Sequence, residues 1–114
     1  MPNQLHAIES TFAALADPTR AAVVQRLSHG PASVSELASP FDMALPSFTQ
    51  HLGVLEKAHL IVSHREGRAR ICALNPLALK QAEDWLAQSR RAWEDRFDRF
   101  EAHLAQTRKE NSDE

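Results

Sequence analysis

The chain is 114 residues long, a length for one domain, and carries a formal net charge of −2. Apolar residues make up 43% and charged residues 25%, the balance of a globular chain rather than a disordered one. Three glycines and six prolines are too few for the many turns of an all-β sandwich, and a single cysteine, Cys72, excludes an intramolecular disulfide or a multi-thiolate zinc site.

Helix signals dominate from the N-terminus. Residues 1–10 are polar, without an apolar stretch of signal-peptide type, and no later apolar run approaches the roughly 18 residues of a membrane span. A soluble, cytoplasmic protein with no membrane partner is expected. Ile8, Phe12 and Leu15 recur at i, i+4 and i+7, one face of a first helix. Asp17 then reads as the N-cap of a second, with Pro18 at its first position, where the missing N–H costs nothing. Val23, Val24 and Leu27 give that helix its buried face, and Gly30-Pro31 ends it.

Ser33-Val34-Ser35-Glu36 has the pattern of a capping box and opens a short third helix, with Val34, Leu37 and Ala38 inward. A fourth helix begins near Ala44 to Pro46. Its Phe48, Leu52 and Leu55 fall at i, i+4 and i+7, leaving Ser47, Gln50, His51 and Val54 on the opposite side. Two short helices joined by a tight connection, over about 33–58, make a helix-turn-helix. Over about 60–74 the period changes: a β-branched run and an alternating one flank Arg65-Glu66-Gly67-Arg68, a β-hairpin with Gly67 at the turn's φ > 0 position.

From Pro76 to about Arg108 runs one long helical pattern, in which Ala82, Leu86, Ser89, Trp93, Phe97, Phe100 and Leu104 are spaced by threes and fours. Lys109 to Glu114 are polar and expected as a disordered tail after a single domain, 1–108. A helix over 76–108 spans about 50 Å, against a radius of gyration of about 13 Å for a compact chain of this size. One end must protrude, yet its far half carries Trp93, Phe97, Phe100 and Leu104 on one stripe. A twofold homodimer that covers the stripe is the expected resolution.

Helix, helix, helix-turn-helix, hairpin, helix is the order of a winged helix. Leu15-Ala16-Asp17-Pro18-Thr19-Arg20, Val34-Ser35-Glu36-Leu37-Ala38, the run from Pro46-Ser47-Phe48-Thr49-Gln50-His51-Leu52 to Ala58, and Gly67-Arg68-Ala69-Arg70 before Leu74-Asn75-Pro76 together resemble the ArsR family of bacterial transcriptional regulators. The resemblance covers about residues 8–105 and looks like a branch without the metal-sensing cysteines. It implies a mainly α fold with a small β-hairpin, a winged helix-turn-helix that dimerises through its first and last helices and represses by binding promoter DNA. In those terms Ile8, Phe12, Trp93, Phe97, Phe100 and Leu104 are the expected dimer interface. One departure is Lys57-Ala58-His59-Leu60, where the family usually has glycine in place of His59; histidine tolerates φ > 0 better than most side chains.

A recognition helix enters the major groove with its N-terminal half at the base edges. Gln50 is the expected base reader, because its amide can pair with adenine N6 and N7 together. Ser47 and Thr49 are expected on phosphates. His51 reads equally as a DNA contact or as a hydrogen-bonding partner inside the motif. Arg65, Arg68 and Arg70 supply the hairpin's charge for phosphates or the adjacent minor groove. Residues 43–75 sum to +2, whereas 1–42 and 76–114 each sum to −2, so the positive segment is the expected DNA face. A twofold dimer would read an inverted repeat with half-sites about one helical turn apart.

No cofactor is expected. The third helix has no cysteine, the last has one histidine, His103, without a paired acid at metal-ligand spacing, and the other histidines are scattered. Cys72, in an alternating strand, reads as a small, partly buried residue in preference to a redox sensor. A phosphate loop, a nucleophile elbow and a metal-ligand pair are all absent from the sequence, which argues against an enzyme. The competing class is a winged helix adaptor that binds protein instead of DNA; the polar recognition face and three hairpin arginines weigh against it.

Overall fold

A computed structural model describes residues 2–112. The elements run α1 (Pro2–Leu15), α2 (Pro18–Leu27), β1 (Ala32–Ser33), α3 (Val34–Ala38), α4 (Leu45–Lys57), β2 (Ile61–Glu66), β3 (Ala69–Leu74) and α5 (Pro76–Ser112). Among the described residues, no helix is long and apolar enough to cross a membrane.

Local chemistry sets the boundaries. Asp17 is extended and accepts the Arg20 N–H at 3.0 Å, capping α2 directly before Pro18. Ser33 caps α3 by accepting the Glu36 N–H at 3.1 Å, and its hydroxyl donates to the Glu36 carboxylate at 3.2 Å. That closes the expected box through the hydroxyl instead of the backbone N–H. The β2–β3 turn has two residues, with φ +64° at Gly67 and no positive φ at Arg68, the combination of a type II′ turn.

The C-terminal end of α4 holds the one non-glycine positive φ among the described residues, +61° at His59. Around it the His59 N–H donates to the Glu56 carbonyl at 3.0 Å and the Leu60 N–H to the Leu55 carbonyl at 3.0 Å. Those two bonds form a complete Schellman motif, with histidine at the position glycine usually takes.

The sheet has three strands in the order β1-β3-β2, all antiparallel. Ala32 pairs with Cys72 and Ser33 with Ile71, so the expected hairpin gains a third, two-residue strand. Ile61, Ser63 and Arg65 share one face with their partners Leu74, Cys72 and Arg70. Near Ile61 and Cys72 that face is the inner one, since both are buried. The core joins α1, α2, α3, α4, the opening turn of α5 at Ala78 and the sheet around fully buried Phe48, Leu52, Leu55 and Leu60, and Phe41 packs against Phe48 with ring centroids 5.6 Å apart.

Two expectations about α1 and α5 change. The inward residues of α1 are Ile8, Thr11 and Ala14, while Phe12 is 38% exposed. The helix phase follows the small residues, because Thr11 and Ala14 let α1 approach its neighbours where Phe12 would not fit. Ile8 is therefore spent on the chain's own core, with 3% exposure left for any partner. At the other end α5 continues four residues beyond Arg108 to Ser112, through part of the stretch expected as a tail. Lys109 and Glu110 are good helix formers, and Ser112 Oγ donates to the Lys109 carbonyl at 3.0 Å within that last stretch. Positions 113 and 114 lie outside the described residues.

The chain divides into two compact units, Met1–Ala82 and Glu83–Glu114. The first contains all the strands, α1 to α4 and the opening turns of α5, anchored by buried Ala78 and Ala82. The second is helical and leaves Trp93, Phe97, Phe100 and Leu104 exposed at 70%, 57%, 58% and 38%.

Candidate nucleic-acid interface

Helix α4 divides cleanly by burial. Phe48, Leu52 and Leu55 are fully inside, and Ser47, Gln50 and Val54 are exposed on the other side. Ser47 and Gln50 make no hydrogen bond to other described residues, so their polar groups face solvent. Thr49 is different: its hydroxyl donates back to the Pro46 carbonyl at 2.9 Å, which uses the proton a phosphate contact would need. Leu45, at the first helical position, is also 57% exposed, but on a different side of the helix from Ser47 and Gln50. It stands three residues before Phe48, in phase with the Phe48-Leu52-Leu55 stripe, so spacing alone would place it inward; its exposure comes from its place at the helix end.

His51 sits at the junction of three helices, with its side chain 24% exposed. Its Nδ1 is 3.1 Å from Arg20 Nη1 and 3.7 Å from Asp17 Oδ2. Arg20 also donates through Nε to the Ala14 carbonyl at 2.7 Å and through Nη2 to the Ala13 carbonyl at 3.4 Å. These are carbonyls of the last turn of α1, which lack partners within the helix. The bond from the Arg20 N–H, aided by the Arg20 charge, holds the Asp17 carboxyl below its ordinary range in spite of partial desolvation. One arginine thus ties the end of α1 to the middle of α4. Sequence reading assigns Asp17 to its cap and misses Arg20, whose partner lies 31 positions away.

On the hairpin, Arg65 and Arg68 are exposed and Arg70 is not free. Arg70 Nε donates to Ser63 Oγ at 3.1 Å and Nη2 donates to the Glu56 carboxylate, while Ser63 Oγ donates to the same carboxylate at 2.7 Å. The cause is strand alternation. Arg70 lies two residues from buried Cys72 and points to the same inner face, where the last turn of α4 presents Glu56. The structure therefore joins Arg70 to the end of the recognition helix and leaves Arg65 and Arg68 as the solvent-facing charges. Pairing Arg70 with Glu56 cancels one charge of each sign, so the surplus of +2 over 43–75 survives. Burial raises the Cys72 thiol above its ordinary range, and among the described residues no three of His, Cys, Asp and Glu gather to hold a metal ion.

A five-residue helix, a short connection, an exposed polar helix and a cationic hairpin on one small core define a winged helix-turn-helix, the architecture of a DNA-binding regulator. A helix-turn-helix domain family matches residues 15–64. The chain is 42% identical over 71 residues to the HTH-type transcriptional regulator Rv2034 of Mycobacterium tuberculosis, spanning 62% of this chain and 66% of that protein. It is 30% identical over 79 residues to the transcriptional repressor SdpR of Bacillus subtilis, spanning 69% of this chain and 88% of that protein. Among solved structures, the ArsR family transcriptional regulator RHA00566 superposes with a TM-score of 0.73 at 53% identity, covering 82% of this chain and 94% of the other. The chain belongs to the ArsR family of transcriptional regulators.

Proposed function

We propose that this protein is a homodimeric repressor that reads an inverted-repeat operator through α4 and the β2–β3 wing. The observation that carries the reading is the exposed pair Ser47 and Gln50 on a helix whose opposite face is fully buried, flanked by the exposed charges of Arg65 and Arg68. Such a helix presents polar side chains to base edges without costing the core anything. Gln50 reads a base, Ser47 and the wing arginines Arg65 and Arg68 hold phosphates, and Arg70 braces the wing against α4 from inside. The relatives named as a repressor and as regulators support the direction of control.

The dimer rests on the second unit. Trp93, Phe97, Phe100 and Leu104 lie at spacings of 4, 3 and 4 and are all exposed in the single chain, each forgoing roughly 1.5–3 kcal/mol if left in water. A second copy covers them, with Phe12 and Leu5 of α1, at 38% and 48% exposure, replacing the buried Ile8 as the first helix's contribution.

The test is fluorescence anisotropy with duplex DNA from upstream of the protein's own gene against a shuffled duplex, at two salt concentrations. Selective binding that weakens with salt is expected. Gln50→Ala should cost about 1–3 kcal/mol on the preferred duplex and relax selectivity at one base position. Weak, equal binding to every duplex tried, including a pool selected from random sequence, overturns the reading in favour of a protein-binding adaptor.

A further inference from the structure

We propose that Arg20 is a positioning residue for DNA binding: it holds His51 in the Nε2–H tautomer, so that α4 offers a neutral N–H donor to a DNA phosphate. The inference rests on the DNA-binding reading and adds to it a residue on another helix that sets the state of the contact. Arg20 is fixed first, by its two bonds to the Ala13 and Ala14 carbonyls at the end of α1. Its third contact, Nη1 to His51 Nδ1 at 3.1 Å, is then dictated by chemistry. A guanidinium only donates and stays protonated, so Nδ1 must be the acceptor and carry a lone pair. The ring proton is left on Nε2. The Asp17 carboxylate, at 3.7 Å from Nδ1, is beyond hydrogen-bond distance and does not compete for that position.

The other end of the ring is open. Among the described residues, no buried side-chain nitrogen or oxygen lacks a partner. Nε2 makes no hydrogen bond to the described chain, so it must reach solvent. His51 follows Gln50 and stands one turn after Ser47, beside the polar surface already described. A neutral imidazole donor there positions the helix on the backbone without displacing a counterion, unlike an arginine contact.

Two substitutions separate the ends of the ring. Asparagine keeps an acceptor near the δ position and loses the ε donor, whereas glutamine keeps a donor near the ε position and loses the δ acceptor. With duplexes selected from a random pool, His51→Asn should weaken binding about tenfold on preferred and shuffled duplexes alike, with the salt slope unchanged. His51→Gln should stay within about threefold of the parent. Nitrogen-15 spectra of the histidine-labelled free protein near neutral pH should show His51 as the Nε2–H form, and Arg20→Met should add the Nδ1–H form. Arg20→Met should also weaken DNA binding in the parent but add nothing in the His51→Asn background.

Full binding by His51→Asn overturns the phosphate contact. A His51 found as Nδ1–H or as a cation in the parent overturns the role of Arg20, as does a salt slope that falls when His51 is replaced. The tautomer measurement needs no DNA, so it separates failure of this inference from failure of DNA binding itself. His51→Asn and His51→Gln leave the Arg20 cap on α1 in place, which keeps the test decisive if Arg20→Met does not fold.

Discussion

Phe48 and Phe100 are the same amino acid on helical stripes of the same spacing, and their fates are opposite. Phe48 has no exposed surface in a core built from five helices and a sheet, whereas Phe100 is 58% exposed on a helix with no comparable neighbours in its own unit. The difference shows that periodicity announces an apolar face and says nothing of which chain covers it. In Met1–Ala82 the answer lies within the chain. In Glu83–Glu114 the answer we propose is a second copy.

Substitution breaks this comparison most sharply. Phe48→Ala should cost about 3–5 kcal/mol, a large share of a small domain's stability, and abolish DNA binding by unfolding the first unit. Phe100→Asp should leave the amide hydrogen-exchange protection of the first unit unchanged and act on association instead. At about 2 kcal/mol per copy of a twofold interface, it should raise the dimer dissociation constant on the order of a thousandfold. Light scattering that still finds a dimer at micromolar concentration would refute the proposed interface.

A second comparison lies within the wing, between Arg68 and Arg70. Arg68→Ala should weaken every duplex alike and lower the salt slope by about one. Arg70→Ala should leave that slope unchanged and instead cost about 0.5–1 kcal/mol of stability, the usual range for a half-exposed ion pair. Equal slope changes for the two variants would return Arg70 to the DNA.

How far such distinctions are legible depends on distance along the chain. The recognition face is readable because burial on a helix repeats every three or four residues, and so are the Asp17 and Ser33 caps and the Gly67 turn, each fixed within four residues. The inward turn of Arg70 is latent in its two-residue offset from Cys72, but it also needs the position of Glu56 on another element. The two-residue strand at Ala32 is too short to have a period. Arg20 to His51 is a long-range contact between helices, and nothing in the local pattern of either residue encodes it. On α1 the apolar spacing favours the large Phe12 over Thr11 and Ala14, although close helix packing selects the small side chains.

At the end of α4 the same reasoning gives a smaller effect of opposite sign. His59 adopts φ +61°, which costs an L-residue about 1–2 kcal/mol, partly offset for glycine by its greater unfolded entropy. His59→Gly should therefore stabilise the protein by about 0.5–1 kcal/mol in urea unfolding, with DNA binding unaltered. Valine at the same place should destabilise it, because a β-branched side chain tolerates that conformation least.

The smallest effect concerns Asp17, which belongs both to the cap of α2 and to the surroundings of His51. Its carboxyl lies below the ordinary value of 3.8, first because it accepts the Arg20 N–H, with help from the nearby Arg20 charge. A depressed carboxyl binds its proton more weakly in the folded state than in the unfolded one. Its contribution to stability is therefore present above the ordinary value and fades as pH falls through the depressed one. Asn caps a helix about as well as Asp, so Asp17→Asn should change unfolding at pH 7 little. What it should remove is part of the acid limb: stability of the variant should fall less steeply than that of the parent below about pH 4. An unchanged acid limb would mean that the Asp17 charge does no more than a neutral cap, and that Arg20 is held by the α1 carbonyls alone.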